Sequence, residues 1–234
     1  MKERINKYSE EIVSTLKLRL REGKKIQAIL IFGLWCLNIS TSISCNKVNN
    51  NSLNCEFTYD DSTTQFQWTA FKLTEKVGVK GTFDKISIEG IKDKQKSIAL
   101  VFENLKFYID INSINSGQIE RDKKILKYFF GSLQNSKELS GVFSKIKISG
   151  DSGTADLTLK MNGIEKTIPV QIIVQKNSDL EIRASIDLLN WDMDKSIIAL
   201  NKECNDLHKG KDSISKLWPD VELKVNTKLK AICQ

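Results

Sequence analysis

Residues 65–88 read QFQWTAFKLTEKVGVKGTFDKISI, and the fold turns on this stretch. Phe66, Trp68 and Ala70 alternate with Gln65, Gln67 and Thr69, the period-two pattern of a strand with one buried face. Gly78 and Gly81 bracket Val79. Glycines inside a strand pattern mark bends, bulges or close approach of another group to the backbone. Thr82, Phe83, Ile86 and Ile88 resume an extended pattern. The segment predicts two extended stretches joined by a kinked connection, one wall of a curved antiparallel sheet.

The same rhythm continues downstream. Leu105, Phe107, Ile109 and Ile111 alternate with Lys106, Tyr108 and Asp110, apolar in and polar out. Val142 to Ile148 gives another strand, and Ala155, Leu157, Leu159 and Met161 mark the next. Asn162-Gly163 is the strongest hairpin signal in the chain. A two-residue loop there pairs Met161 with Ile164, sets Lys160 opposite Glu165 and Leu157 opposite Ile168. Pro169 has no N–H to give, so it belongs where the ladder does not need one. Ile168, Val170, Ile172 and Val174 continue the inner face. Leu180, Ile182, Ala184 and Ile186 follow, and Val221 to Ala231 is the last strand.

Two stretches break the β rhythm. Arg121 to Phe130 reads as a short helix with Ile125, Leu126 and Phe129 on one face and Gly131 as C-cap. Asp192 to Gly210 places Ile197, Leu200, Cys204 and Leu207 at helical spacing, with Asp192 or Asp194 as cap and Gly210 as stop. About eight strands, one or two short helices and no βαβ alternation predict an all-β, antiparallel barrel, which removes exposed sheet edges.

The chain has 234 residues, 40% hydrophobic and 28% charged, with two prolines and twelve glycines. That composition is globular and long enough for a sizeable core. The formal charge is +7, but residues 1–25 hold eight Lys and Arg against four Glu. The remainder is only weakly basic, and it carries no zinc spacing and no Arg-rich face, so no nucleic-acid partner is expected.

The first 45 residues read as an address. Ile26 to Ile39 is an uncharged apolar run after Gly-Lys-Lys, shorter than the ~20 residues that span a bilayer. Ser42-Ile43-Ser44-Cys45 follows. A Cys after a small residue, just beyond an apolar core, is similar to a bacterial lipoprotein processing site, where Cys45 would receive the lipid anchor. Ser42 stands where a Leu is usual, and an uncleaved anchor or cleavage elsewhere is the alternative. Residues 46–55 would be a polar tether and residues 56–234 the barrel. Such a protein sits in the bacterial cell envelope, periplasmic or at the surface. Residues 1–25 are long for a charged leader and read as an extended leader or an early start.

The chain also resembles the YceI-like family of secreted, lipocalin-like barrels over residues 56–231. WTAFKLTEKVGVKGTFDKI, from Trp68, resembles that family's opening hairpin. INSINSGQIERDKKILKYFF, from Ile111, is similar to its Asn/Gly turn, Arg-Asp pair and aromatic helix. LTLKMNGIEKTIPVQI resembles its Asn-Gly hairpin, and residues 186–225 its C-terminal part. The resemblance implies a non-enzymatic binder of a polyisoprenoid or other amphiphilic lipid inside the barrel, and leaves room for a homodimer.

Little in the chain points to chemistry. His208 is the one histidine, so catalytic triads and His-rich metal sites are excluded unless another chain contributes. No metal or cofactor is expected. At a helix end beside Lys209, His208 reads as a cap or surface residue. Arg121-Asp122 reads as structural, Asp122 capping the helix and Arg121 pinning the loop before it, with a headgroup role for Arg121 as the alternative. Of the five cysteines, Cys36 goes with the leader and Cys45 with the lipid. If the first and last strands pair, Cys55 and Cys233 become neighbours, and this is the favoured disulfide; otherwise no bridge forms. Cys204 reads as a small buried hydrophobe. Eight strands leave an interior either filled by side chains or wide enough for one ligand. Phe66, Trp68, Val79, Phe83, Phe107, Ile109, Phe129 and Phe130 are the ligand-binding candidates. If the barrel is filled instead, they are plain core, and the protein is an envelope interaction or stress-related protein.

Overall fold

The computed structural model describes residues 54–134, 137–175 and 179–234. The leader, the processing site at Cys45 and nearly all of the tether lie outside the described residues. Ten strands form one antiparallel sheet: β1 (Cys55–Lys72), β2 (Val77–Phe83), β3 (Ile86–Glu89), β4 (Lys106–Ile109), β5 (Ile114–Asn115), β6 (Leu139–Ser149), β7 (Ser152–Met161), β8 (Ile164–Val174), β9 (Asp179–Asp187) and β10 (Leu217–Cys233). Their order is β3-β4-β6-β7-β8-β9-β10-β1-β2-β5. Strands β2 and β3 lie near opposite ends of that order, yet only Asp84 and Lys85 separate them in the chain. One bent segment therefore links the two sides and curls the sheet into a lipocalin-like half-barrel. Its end strands β3 and β5 do not pair with each other among the described residues, so the edges are brought together by the bend and not removed by a closed ladder. The count exceeds the expected eight because this bend splits one predicted wall into two strands and because β5 is only two residues long.

The register follows the side-chain pattern. Met161 pairs with Ile164, Lys160 with Glu165 and Leu157 with Ile168. Asn162 and Gly163 have φ of 50° and 76°, the left-handed pair of a type I′ turn. Counting out from that turn, Pro169 falls in a non-hydrogen-bonded pair with Asp156, so its nitrogen faces away from β7. On that side β8 meets β9 only over Gln171–Val174, and no donor is lost. Trp68 stands opposite Gly81, and a Cβ on Gly81 would lie 2.6 Å from Trp68 Cε2. Phe107 stands over Gly141 in the same manner, where a Cβ would meet Cε1 at 2.7 Å. Each glycine is the floor on which an aromatic ring lies.

The helices differ from the sequence reading in detail. A short helix, α1 (Ile98–Phe102), lies just ahead of the Leu105–Ile111 alternation, where the sequence reading placed no helix; Ser97 caps it by accepting from the Leu100 N–H. Helix α2 (Ile119–Lys124) starts two residues before Arg121 and runs into a π-helical turn at Ile125–Phe129 and a 3-10 turn at Phe130–Ser132. Gly131 therefore sits inside a turn and caps nothing. Asp122 does not cap the helix either: its Oδ1 accepts from Ser116 N at 3.0 Å and from Ser116 Oγ. Arg121 Nε and a terminal nitrogen donate to Ser116 Oγ and O at 2.8 and 2.7 Å, so the pair pins the preceding loop. Helix α3 spans Asp194–Glu203 with Met193 at its N-cap, and Asn205–His208 continues as a 3-10 turn ending before Gly210. Asp192 instead takes left-handed φ of 52° and ends the turn Leu188–Trp191.

Asn162 joins several of these parts. It is 1% exposed; its Oδ1 accepts from Gln134 N at 3.0 Å and its Nδ2 donates to Trp191 O at 3.0 Å. Cys55 and Cys233 are register partners of β1 and β10 and are joined by a disulfide. Cys204 is a free, buried thiol.

Candidate functional site

The inner face of the barrel is largely apolar, with Thr227 and the Tyr59 hydroxyl joined through Thr64 toward the disulfide end, and its two ends are packed differently. Near the disulfide, Phe102 packs edge-on against Tyr59 and Phe143, with ring centroids 5.8 and 6.2 Å apart. At the other end, α2 with its π-turn and α3 roof the barrel without filling it. A cavity of about 150 Å³ lies beneath them.

Each strand feeds that cavity by its period of two. Strand β1 supplies Phe66, Trp68 and Ala70, β4 supplies Phe107 and Ile109, and β10 supplies Val221 and Leu223. Phe83 comes from the end of β2, while Phe129 and Phe130 come from the roof, where their rings meet at 5.1 Å. Seven of the eight ligand-binding candidates thus line one cavity. Val79 does not; it lines a second cleft of about 350 Å³ that shares Trp68, Ala70, Ile125, Leu200 and Leu217 with the first.

The cavity offers almost nothing to a hydrogen bond. Ser140 is its one hydroxyl, and its Oγ donates to Glu138 Oε1 at 2.8 Å. The indole N–H groups are engaged as well: Trp68 Nε1 donates to Thr82 O at 3.4 Å and Trp218 Nε1 to Leu73 O at 2.7 Å. A polar ligand would be desolvated there without compensation.

The second cleft has a polar wall. Lys72, Glu120, Arg121, Lys124, Cys204 and His208 line it. His208 departs from its expected surface role: it is 8% exposed, and its Nδ1 lies 2.8 Å from Asn201 Oδ1. Burial lowers its pKa to about 4, helped by the charges of Lys72 and Lys124. The ring is neutral at pH 7 and supplies no cation to the helix end. Burial also raises the pKa of the Cys204 thiol, which is consequently a poor nucleophile.

Sequence reasoning missed Met193, Ile197, Leu200, Leu217 and Trp218 as cavity residues. The helical spacing of Ile197 and Leu200 was visible, but not what the face covers. Trp218 lies in β10 ahead of the stretch that showed strand alternation.

A curled antiparallel barrel with a hollow, apolar end is the architecture of a small-molecule binding protein. The chain belongs to the YceI-like family: the YceI-like domain matches residues 57–229. Its barrel is similar to that of Burkholderia cenocepacia BcnA, with 17% identity, a TM-score of 0.52, and coverage of 74% of this chain and 99% of that one. It is also similar to a polyisoprenoid binding domain from Saccharophagus degradans implicated in plant cell wall breakdown. There the identity is 16%, the TM-score 0.51, and the coverage 77% and 99%. No curated protein matches the chain.

Proposed function

We propose that this protein binds an isoprenoid-like or other amphiphilic lipid, its apolar part held in the cavity at the helix end, and that it performs no covalent chemistry. The observation that carries this reading is the lining: aromatic and aliphatic side chains whose few polar atoms are already paired. Burying apolar ligand surface there yields about 25 cal/mol per Å², less the freedom the ligand loses. The similar domain described as polyisoprenoid binding supports the ligand class. Apolar cavities of about 150 Å³ stay dry and admit a benzene-sized guest. One or two isoprene units therefore fit the cavity, and a longer chain continues into the adjoining cleft. The Cys55–Cys233 disulfide supports an exported, envelope location, since such bonds persist in oxidising compartments; lipid anchoring through Cys45 is part of the same proposal.

Native mass spectrometry of the full chain, with and without added farnesol and longer polyprenols, tests the reading. A one-to-one adduct that disappears in Ala70→Leu is the expected result. A bare polypeptide mass with every probe would overturn it and leave the filled-barrel interaction protein in its place.

A further inference from the structure

The roof over the cavity has two faces. Inward, α2 with its π-turn and α3 line the cavity through Ile125, Phe129, Met193, Ile197 and Leu200. At 3.6 residues per turn, the line of α3 opposite Met193, Ile197 and Leu200 carries Lys195, Ile198 and Lys202, all three exposed. Along α2 and its π-turn, Ile119, Lys123 and Lys127 follow at four-residue steps and are exposed likewise. Ile119 and Ile198 are 74% and 64% exposed, more than any other large hydrophobic residue among those described. Lys124 Nζ meets Glu203 at 3.5 Å and ties the two helices side by side. Both stripes therefore face away from the same cavity.

Part of the positive charge on this surface has no partner within the chain. Glu120, Glu203 and Asp206 are each matched by a lysine: Lys123 at 2.7 Å, Lys124 at 3.5 Å and Lys209 at 2.8 Å. Asp122 is held by Ser116. Asp194 lies off the outer line of α3, in the first turn, where it complements the helix N-terminus. Among the described residues, Lys127, Lys195 and Lys202 are in no ion pair. Isoleucine set between unpaired lysines on a helix suits the boundary of an acidic bilayer. The aliphatic side chain enters the acyl region, and the ammonium groups reach up to headgroup phosphate. Protein interfaces are anchored instead by aromatic residues and Arg and are poor in Lys. The outer line of α3 carries neither anchor.

We propose that the outer face of the roof is a docking surface for an acidic lipid bilayer. Ile119 and Ile198 enter the bilayer boundary, and Lys127, Lys195 and Lys202 meet its phosphates. The purpose of this surface, though not its contacts, rests on the lipid-binding reading above. With the roof against the membrane, a lipid passing between bilayer and cavity need not cross water.

Amide hydrogen exchange of the full chain, alone and with vesicles of phosphatidylglycerol or phosphatidylcholine, tests the surface. Phosphatidylglycerol vesicles should slow exchange over residues 119–128 and 195–207 and leave β6, β7 and β8 unchanged. Ile119→Glu/Ile198→Glu should abolish that protection. Lys127→Glu/Lys202→Glu should raise the lipid concentration required by at least about tenfold, since each lysine near acidic headgroups counts for about fivefold. These four side chains are exposed and line neither the cavity nor the cleft, so both variants should bind farnesol as the native chain does. Native farnesol binding without vesicle protection of the roof, or equal protection in native chain and variants, would overturn the docking surface and leave the lipid reading standing. Equal protection by phosphatidylcholine would overturn the acidic bilayer as its occupant. Equal protection by monomeric dihexanoyl phosphatidylglycerol would assign the effect to uptake of a single lipid and overturn docking. Roof protection in a chain that binds no farnesol would uphold the surface and overturn the lipid reading.

Discussion

The two ends of this barrel are made from the same strands but are packed differently. At the disulfide end, α1 inserts Val101 and Phe102, 0% and 2% exposed, between Tyr59 and Phe143. The chain closes there as well: Phe57 and Gln95 exchange two backbone hydrogen bonds of 2.8 Å. At the other end, α2, its π-turn and α3 lie across the opening and leave a void that no side chain occupies. Strand alternation supplies apolar residues to both ends alike. What separates packed core from cavity is whether a connecting segment plugs the barrel or bridges it.

That contrast can be broken by experiment, beginning where the effect is largest. Cys55 and Cys233 lie 178 residues apart in sequence, so their bond closes nearly the whole domain. Loop-closure entropy over that length makes the Cys55→Ser/Cys233→Ser variant about 4–5 kcal/mol less stable, read as a shift in the urea midpoint. A loss under about 1 kcal/mol would mean that the β1–β10 ladder restrains the ends without the bond.

Phe102→Ala removes the plug itself. A fully buried aromatic truncated to Ala should cost about 4 kcal/mol by denaturant unfolding. If the cost were near 1 kcal/mol, the disulfide end would be as loosely packed as the helix end.

Acid discriminates the two ends in the opposite sense. His208 takes up a proton near pH 6.5 in the unfolded chain and only near 4 when folded. Acid therefore favours unfolding, and the stability this residue contributes is present above pH 6.5 and lost as pH falls toward 4. Its share over that window is about 3 kcal/mol. Unfolding curves at pH 7 and pH 5 should lie further apart for the native protein than for His208→Gln. Equal separations would place the ring in water.

The smallest effect is the sharpest comparison. Ala155 in β7 is 4% exposed within packed core, whereas Ala70 in β1 borders the cavity. Leucine at 155 overpacks and should cost about 1–3 kcal/mol; leucine at 70 fills empty space and should change stability by less than about 0.5 kcal/mol while abolishing lipid uptake. Thermal unfolding of the two variants side by side decides it. Equal costs would show that the void is not an available space.

The strands were legible because their pattern is local. Phe66, Trp68 and Ala70 face inward by alternation alone, and Asn162-Gly163 set the β7–β8 register through turn chemistry. Helix boundaries were less legible. Asp122 looked like a cap because acidic residues suit a helix start, but its carboxylate bonds Ser116, six residues back. His208 looked exposed beside Lys209, and only the packing of Asn201 and Ser215 around it shows otherwise. The polar cleft was illegible for the same reason. Lys72, Lys124 and His208 are far apart in sequence, and nothing local brings them together.

The sequence by itself determined the antiparallel pattern, the inward face of most strands and the apolar, hydrogen-bond-poor character of the interior. These follow from side-chain period and turn geometry, which act over a few residues. Only the tertiary structure decided which end is hollow, which helix plugs or roofs it, and that a neutral histidine and two lysines line the cleft beside it. Those facts depend on contacts between segments more than a hundred residues apart, such as Lys72 with Leu207, and no local pattern encodes them.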